Sequence, residues 1–488
     1  MAVINTHWHI VSVALVAVAL VLLATACSGR QAAPTPAEID LAAVREVVEE
    51  AVAASSSETA SAEEIRAMVE AAVADATSQG VAPEQIRRIV EDAVASASEQ
   101  NRGTLAEELE AQVAKSVSEA LTDLNASDGT DEEPSSFVLT DVAGRTVTIN
   151  RPVERILLFE GRQLYVVAGL QPGNPFDKIV GWGGDLKGLD VDAYEKYKEK
   201  FPEIDDIADF GFGGSVEDFS VEWAIDLEVD VITLDLDGLR PAQETGMVEQ
   251  LAEAGIPIVV IDYRHEPLEN TVPSTYILGR LFDQQERAQE IVDFYLQQVN
   301  VVYSRVGQLE TEKPLVFLDI AGGFEGAENC CLSNGRGNLG LMVERAGGIN
   351  LGSELVPGVF GMVNAEEILV SRPDVIVATG GNAPPYNTYG DLVTLGYFSQ
   401  PDEARSTLAR LGEGRPGWSE LPAINNGRHH AVWHNFYNSP YHFAALQQFA
   451  KWFHPELFED IDPVANLAEY HERFLPIGYS GTFMVSAE

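Results

Sequence analysis

The stretch Ser220-Val-Glu-Trp-Ala-Ile-Asp-Leu-Glu-Val-Asp-Val-Ile232 reads as a short helix, apolar along one side from Val221 to Leu227, that runs into a strand starting at Asp230. Asn364-Ala-Glu-Glu-Ile-Leu-Val-Ser-Arg-Pro-Asp-Val-Ile376 repeats the same order later in the chain. Around the first copy, strands are expected at 155–159, 178–182 and 257–262, and a helix over 247–254 is stopped by Gly255-Ile-Pro257. Around the second, strands are expected at 315–320, 374–378 and 430–433. Strand and helix in alternation give a parallel sheet with right-handed crossovers, and put binding residues on the loops after strand ends. The fold class is therefore α/β, two Rossmann-like lobes over 137–268 and 311–488, the first opened by a hairpin over 138–149 that closes near Ala143-Gly144. Between them, 269–310 reads as one long amphipathic bridging helix, stiff enough to leave the cleft largely preformed.

Ahead of the lobes the texture differs. Ile10 to Ala24 is apolar except for Ser12 and ends in Ala24-Thr25-Ala26-Cys27, the length and small-residue ending of a signal peptide over 1–26. It resembles a bacterial lipoprotein signal, which implies lipid on Cys27 as the first mature residue. The first nine residues carry His7 and His9 but no Lys or Arg, unlike a usual signal start, and a plain N-terminal anchor is the alternative. Either places the remainder at the outer face of the cell membrane. From 27 to 136 there is no Phe, Tyr or Trp, and residues 31–136 hold 23 acidic against 6 basic side chains, so no ordinary core is expected. Val44-Arg-Glu-Val-Val-Glu-Glu-Ala-Val52 recurs at 65–73 and 86–94, a period of 21 residues with apolar positions on one helix face. Thr35 with Glu38, Ser61 with Glu64 and Thr104 with Glu107 have capping-box spacing. An α-helical acidic stalk is expected, with oligomerisation admitted by its three-heptad period, and a disordered linker is the alternative.

A chain of 488 residues with net charge −45 is hostile to polyanions, so no nucleic-acid partner is expected. Of three cysteines, Cys27 belongs to the signal, leaving adjacent Cys330 and Cys331, which admit a vicinal disulfide outside the cytoplasm.

Thr140-Asp-Val-Ala-Gly-Arg-Thr-Val-Thr-Ile-Asn-Arg-Pro-Val-Glu-Arg-Ile156 resembles the opening hairpin and first strand of periplasmic binding proteins for iron complexes and cobalamin. The two helix-to-strand stretches, Gly347-Gly-Ile-Asn350, Leu421-Pro-Ala-Ile-Asn-Asn-Gly-Arg428 and His454-Pro-Glu-Leu-Phe458 extend the resemblance over about 137–475. It implies the substrate-binding component of an ABC importer, with a cleft for a bulky metal chelate, docking on a permease driven by a separate ATPase. A ferric siderophore is the expected ligand, with haem, cobalamin, a bare metal ion or a stalked sensor as alternatives. No cofactor is expected.

A chelate needs aromatic walls and a few charged groups. Loops after strand ends supply Arg162, Trp182, Arg240, Tyr263 and Arg264 in the first lobe, and Arg336, Trp433, Tyr437 and Tyr441 in the second. A planar guanidinium fork suits a carboxylate or catecholate edge. His429, His430, His434 and His442 fall in one short stretch, and His430 with His434 is the alternative pair for a bare metal. Asp235, Asp237 and Asp319 also fall at strand ends, but no nucleophile, base and orienting group stand at a recognisable spacing, so the chain is not read as an enzyme. No Gly-rich Lys-Ser phosphate loop is present, so ATP hydrolysis belongs to a partner.

Overall fold

In the computed structural model, residues 135–487 are described apart from 212–214, 310, 325, 327 and 328. The signal, Cys27 and the acidic repeats lie outside the described residues. The hairpin forms as β1 (Ser136–Thr140) and β2 (Thr146–Asn150), paired antiparallel. Its turn is held by the Asp141 carboxylate, which accepts from the Ala143 and Arg145 N–H groups, while Gly144 takes φ +74.

The first lobe's sheet runs in the order β5 (Ala208–Asp209), β4 (Ile179–Trp182), β3 (Ile156–Leu158), β6 (Val231–Asp235), β7 (Ile258–Ile261), all parallel. Counted along the chain this is 3-2-1-4-5, so the order reverses between β3 and β6. The second lobe's sheet runs β10 (Ile349–Asn350), β8 (Leu315–Asp319), β12 (Val375–Gly380), β13 (His429–Trp433), β14 (Met484–Ser486). It is parallel except for β14, and reverses between β8 and β12. A further antiparallel pair, β9 (Leu332–Asn334) with β11 (Phe360–Met362), stands beside it. Doubly wound sheets bind ligands in the crevice outside the strand ends at such reversals.

The helix-to-strand stretch does the same work in both lobes. Ser220 caps α2 (Val221–Asp226), accepting from the Trp223 N–H, as Asn364 caps α6 (Ala365–Ser371), accepting from the Glu366 N–H. At the strand entry, Asp230 Oδ2 accepts from the N–H groups of Glu154 and Arg155 ahead of β3, and Asp374 Oδ2 accepts from the Leu315 N–H at the start of β8. Each aspartate thus joins its strand to the lobe's first strand, which sets the register beside the reversal. The other helices that position the site are α1 (Leu164–Leu170), α3 (Leu236–Glu244) and α7 (His442–Phe453).

The bridge departs from the expected single helix over 269–310. It is two helices, α4 (Pro267–Leu281) and α5 (Gln285–Val306), broken at Asp283, whose φ is +57. The apolar period continues across the break without Gly or Pro; aspartate, one of the few residues that tolerate the left-handed region, makes the turn. α5 is the element that joins the lobes, packing on α1 of the first and α7 of the second. Gly279 lets α4 and α5 meet, since a Cβ there would lie 2.5 Å from the Ala288 Cβ. Gly279→Ala is therefore expected to lower stability by about 1–3 kcal/mol in denaturant unfolding. Gly173→Ala, at a position with nothing within 4 Å, is expected to leave it unchanged; equal effects would contradict this packing.

Candidate functional site: the interlobe cleft

The loops after β3, β6 and β7 face those before α7 and around β9 and β11. Arg162, two residues into the short turn after β3, is buried, and its Nε donates to Asp185 Oδ2 at 2.6 Å. Its Nη1 reaches the other lobe, donating to Asn435 Oδ1 at 3.1 Å and to the Tyr437 hydroxyl at 2.5 Å. Burial opposes its charge, but the Tyr437, Asp185 and Glu160 oxygens outweigh that and hold its pKa above the ordinary arginine value. Glu160 accepts from Arg264 Nη1 at 3.2 Å and, across the lobes, from Asn438 Nδ2 at 2.8 Å. Asn338 Nδ2 donates to the carbonyls of Arg264 and Tyr437.

Glu160 stands two residues past β3 and Asp235 ends β6, the two strands that flank the first lobe's reversal. Burial raises both, but beside Arg162 and Arg264 the Glu160 carboxyl is held down at about 2, while burial and the Glu160 charge push Asp235 well up. The buried Arg162 and the half-buried Arg264 are each paired with a carboxylate. Two donors remain. Arg264 Nε is buried without a hydrogen bond, its approach to Asp237 Oδ2 being 3.7 Å. Arg336 is exposed, and its side chain makes no ion pair or hydrogen bond among the described residues. It lies beside Gly337, where a Cβ would be 3.2 Å from the His265 carbonyl of the facing lobe. The Arg264 guanidinium lies 5.8 Å from the Phe360 ring and 5.6 Å from the Tyr437 ring.

The structure therefore brings together Arg162, Arg264 and Tyr437, with Arg336 at the rim. It places the other expected residues elsewhere. Trp182 is buried edge-on to Phe176, and Tyr263 is buried with its hydroxyl on Thr275. Trp433 is fully buried edge-on to Tyr165, and the buried Tyr441 donates to the Tyr165 carbonyl. These four aromatics belong to the hydrophobic core rather than to the cleft, Trp182 and Trp433 as the last residues of β4 and β13. Arg240 is out on α3, paired with Glu244 one turn on. His430 stacks on Trp452 at 4.3 Å and bonds Ser486, whereas His434 begins a new turn and bonds Thr379 Oγ1, so the two do not form a ligand pair. Burial lowers both to about 3. Among the described residues no group of three His, Cys, Asp or Glu side chains is placed to hold a metal. Cys330 and Cys331 are joined in a disulfide, with Cys331 buried and its backbone paired to Val363. Glu160, Asp185, Asn338, Phe360, Asn435 and Asn438 were not anticipated; most stand within a few residues of a strand end, the signal that found Arg162.

A second seam joins the lobes. Asp192 accepts from Asn382 Nδ2 at 2.7 Å and from the Phe398 N–H at 3.1 Å, and Gly396, at φ +137, leaves room for that carboxylate. Beside it Asp190 is buried, accepting from the Tyr165 hydroxyl at 2.7 Å.

This architecture is that of a two-lobe, helical-backbone binding protein of ABC transporters. The chain belongs to the periplasmic binding protein family, whose model matches residues 175–430, just over half of its length. Members of this family bind small ligands outside the cytoplasm and work with a permease and its ATPase. The chain is similar to the TroA-like periplasmic binding protein FepB from Veillonella parvula, at 29% identity and TM-score 0.66, over 72% of this chain and 99% of that one. It is also similar to the molybdate-binding protein MolA of Haemophilus influenzae, 21% identical over 369 residues, which are 70% of this chain and 92% of MolA. The molybdate-bound MolA structure matches with TM-score 0.53 at 18% identity, over 71% of this chain and 99% of that one.

Burial, opposed by the Tyr165 hydroxyl, pushes Asp190 up to about 7. An unfolded aspartate titrates near 4, so between roughly pH 4 and 7 the folded state holds the extra proton, and stability falls as pH rises through that window. Asp190→Asn, which keeps an acceptor without the charge, is expected to raise the melting temperature more at pH 8 than at pH 5. An equal shift at both values would contradict this.

Proposed function

We propose that this protein is the membrane-tethered, substrate-capturing component of an ABC importer, and that its interlobe cleft takes an anionic metal chelate of the ferric siderophore type. The observation that carries the ligand reading is a pair of arginines on facing lobes: Arg264, ion-paired with Glu160 but with Nε free of a hydrogen bond and its guanidinium against Phe360 and Tyr437, and the exposed Arg336. Arg162 is committed to Asp185, so the ligand's negative edge has Arg264 and Arg336 to meet and its ring faces have Phe360 and Tyr437. The tether rests on sequence: Ala24-Thr25-Ala26 ahead of Cys27 suits lipidation, and the acidic repeats then act as a spacer from the outer face of the membrane. Capture there is followed by delivery to the permease.

Isothermal titration of the full chain against ferric catecholate and ferric carboxylate chelates, haem and cobalamin tests this. One anionic ferric chelate is expected to bind, and Arg264→Ala and Arg336→Ala each to weaken it by about 1.5 kcal/mol or more, since each removes a charge-assisted bond. Arg240→Ala, on the outer surface, is expected to change nothing. A flat panel, or an Arg240→Ala effect as large as the other two, would sink the reading.

A further inference from the structure

Adjacent Cys330 and Cys331 close a disulfide that the capture described above leaves without a role. The two sulfurs belong to residues of different access. Cys331 is buried in an apolar cluster with Phe317, Val356, Val363 and Ile368, whereas Cys330 packs against that cluster only in part. Both polar groups of the Cys331 backbone are committed: its N–H donates to the Val363 carbonyl at 3.3 Å, and its carbonyl accepts from the Val363 N–H at 2.8 Å. This rung extends the β9–β11 pair, whose own register is Leu332 with Met362, Ser333 with Gly361 and Asn334 with Phe360.

The disulfide thus stands at one end of a strand pair whose other end is part of the cleft. β11 brings Phe360 to the Arg264 guanidinium at 5.8 Å, and β9 leads within two residues to Arg336 at the rim. A separate two-stranded sheet is marginal by itself, so its order depends on what holds its ends. At the cleft end, Asn334 Nδ2 donates to the Val359 carbonyl and Asn350 Nδ2 to the Asn334 carbonyl. At the far end the Ile320 N–H reaches the Leu332 carbonyl, and the closed cysteine ring removes backbone freedom where the chain enters β9.

We infer that the Cys330–Cys331 disulfide is a redox switch on the cleft. Closed, it holds β9 and β11 in the register that presents Phe360 and Arg336; opened by an extracytoplasmic dithiol, it frees that end of the pair and lowers affinity for the captured ligand. In the opening step a thiolate of the dithiol attacks the sulfur of the more accessible Cys330. The Cys330–Cys331 bond breaks as a mixed disulfide forms, and the Cys331 sulfur leaves and takes up a proton. The reductant's second thiolate then displaces the Cys330 sulfur, which is protonated in turn, so the protein is reduced to two thiols and the dithiol is oxidised to a disulfide. The effect on affinity rests on the chelate reading; the effect on the strands does not.

The test compares the full chain before and after treatment with dithiothreitol. Thiol alkylation with peptide mapping separates Cys27 from the pair, amide hydrogen exchange reports on the strands, and titration with ferric catecholate and ferric carboxylate chelates reports on the cleft. The pair is expected to resist alkylation until reduced, and to be reduced in the folded protein. After reduction the Cys331 and Val363 amides are expected to exchange about tenfold faster or more, with those of β8 and β12 unchanged. Affinity for the chelate that binds is expected to fall about fivefold or more, and to return on reoxidation. Cys330→Ser is expected to match the reduced protein in both readouts, and Cys331→Ala repeats the comparison if Cys330→Ser lowers the melting temperature. Free thiols at both positions before treatment, reduction only after unfolding, or unchanged exchange at Val363 overturns the switch, as does unchanged affinity for a chelate that binds. Faster exchange with no chelate bound by either form supports the disulfide's hold on the strands and overturns the chelate reading.

Discussion

The buried guanidinium of Arg162 is the tie on which the interlobe site depends. Taking a charge out of water costs several kcal/mol, and here the cost is offset because Asp185 supplies a carboxylate while Asn435 and Tyr437 accept the remaining bonds. Asp185 is itself held by the Gly161 N–H, so neither ion is left without partners. Loss of the guanidinium would strand a buried carboxylate, a change of about 3–5 kcal/mol. Because the partners sit on loops after β3, β4 and β13, one side chain fixes three strand ends from two lobes. Tyr437 is thereby pinned beside Phe360, and the cleft base exists before any ligand arrives.

Around this tie an aromatic cluster also joins the lobes. Tyr165 of the first lobe meets Trp433 and Tyr441 of the second, with ring centroids at 5.5 and 5.8 Å. Together with the Asp192 seam and α5, these contacts argue for a boundary that changes little on binding. The charge pattern follows the same logic. A net charge of −45 describes the whole chain, while at the cleft base Arg162 and Arg264 are paired with carboxylates and Arg336 has no partner among the described residues. An acidic protein can therefore present an anion site, because local pairing rather than total charge sets the field inside a cleft.

Much of this was legible in the sequence wherever a signal is local. The capped helix running into a strand at Ser220 and Asn364, the turn at Gly144, and the strands around both reversals follow from patterns a few residues long. The break at Asp283 was not legible, because the apolar period runs through it and only packing of Gly279 on Ala288 reveals two helices. Short strands such as β9, β10, β11 and β14 escaped for a related reason: two or three residues carry no period, and their pairing is set by distant partners. For the candidate site, position at a strand end was an incomplete signal. It singled out Arg162, Arg264 and Tyr437, which the structure brings together, yet gave the core residues Trp182 and Trp433 equal standing, since a strand end does not say whether a side chain there points into the core or the cleft. Asn435 and Asn438 escaped because their partners lie across the lobes, and Glu160 because its partners, Arg264 and Asn438, are distant in sequence.

The central claim is that the cleft holds an anionic chelate with its metal. Purification of the protein from its native host under non-denaturing conditions, followed by mass spectrometry and metal analysis of what is released on unfolding, tests it most directly. The account predicts a small organic chelator carrying carboxylate or catecholate groups, released together with an equimolar amount of metal. A metal-free organic molecule, or a bare ion or oxyanion with no chelator, would contradict it.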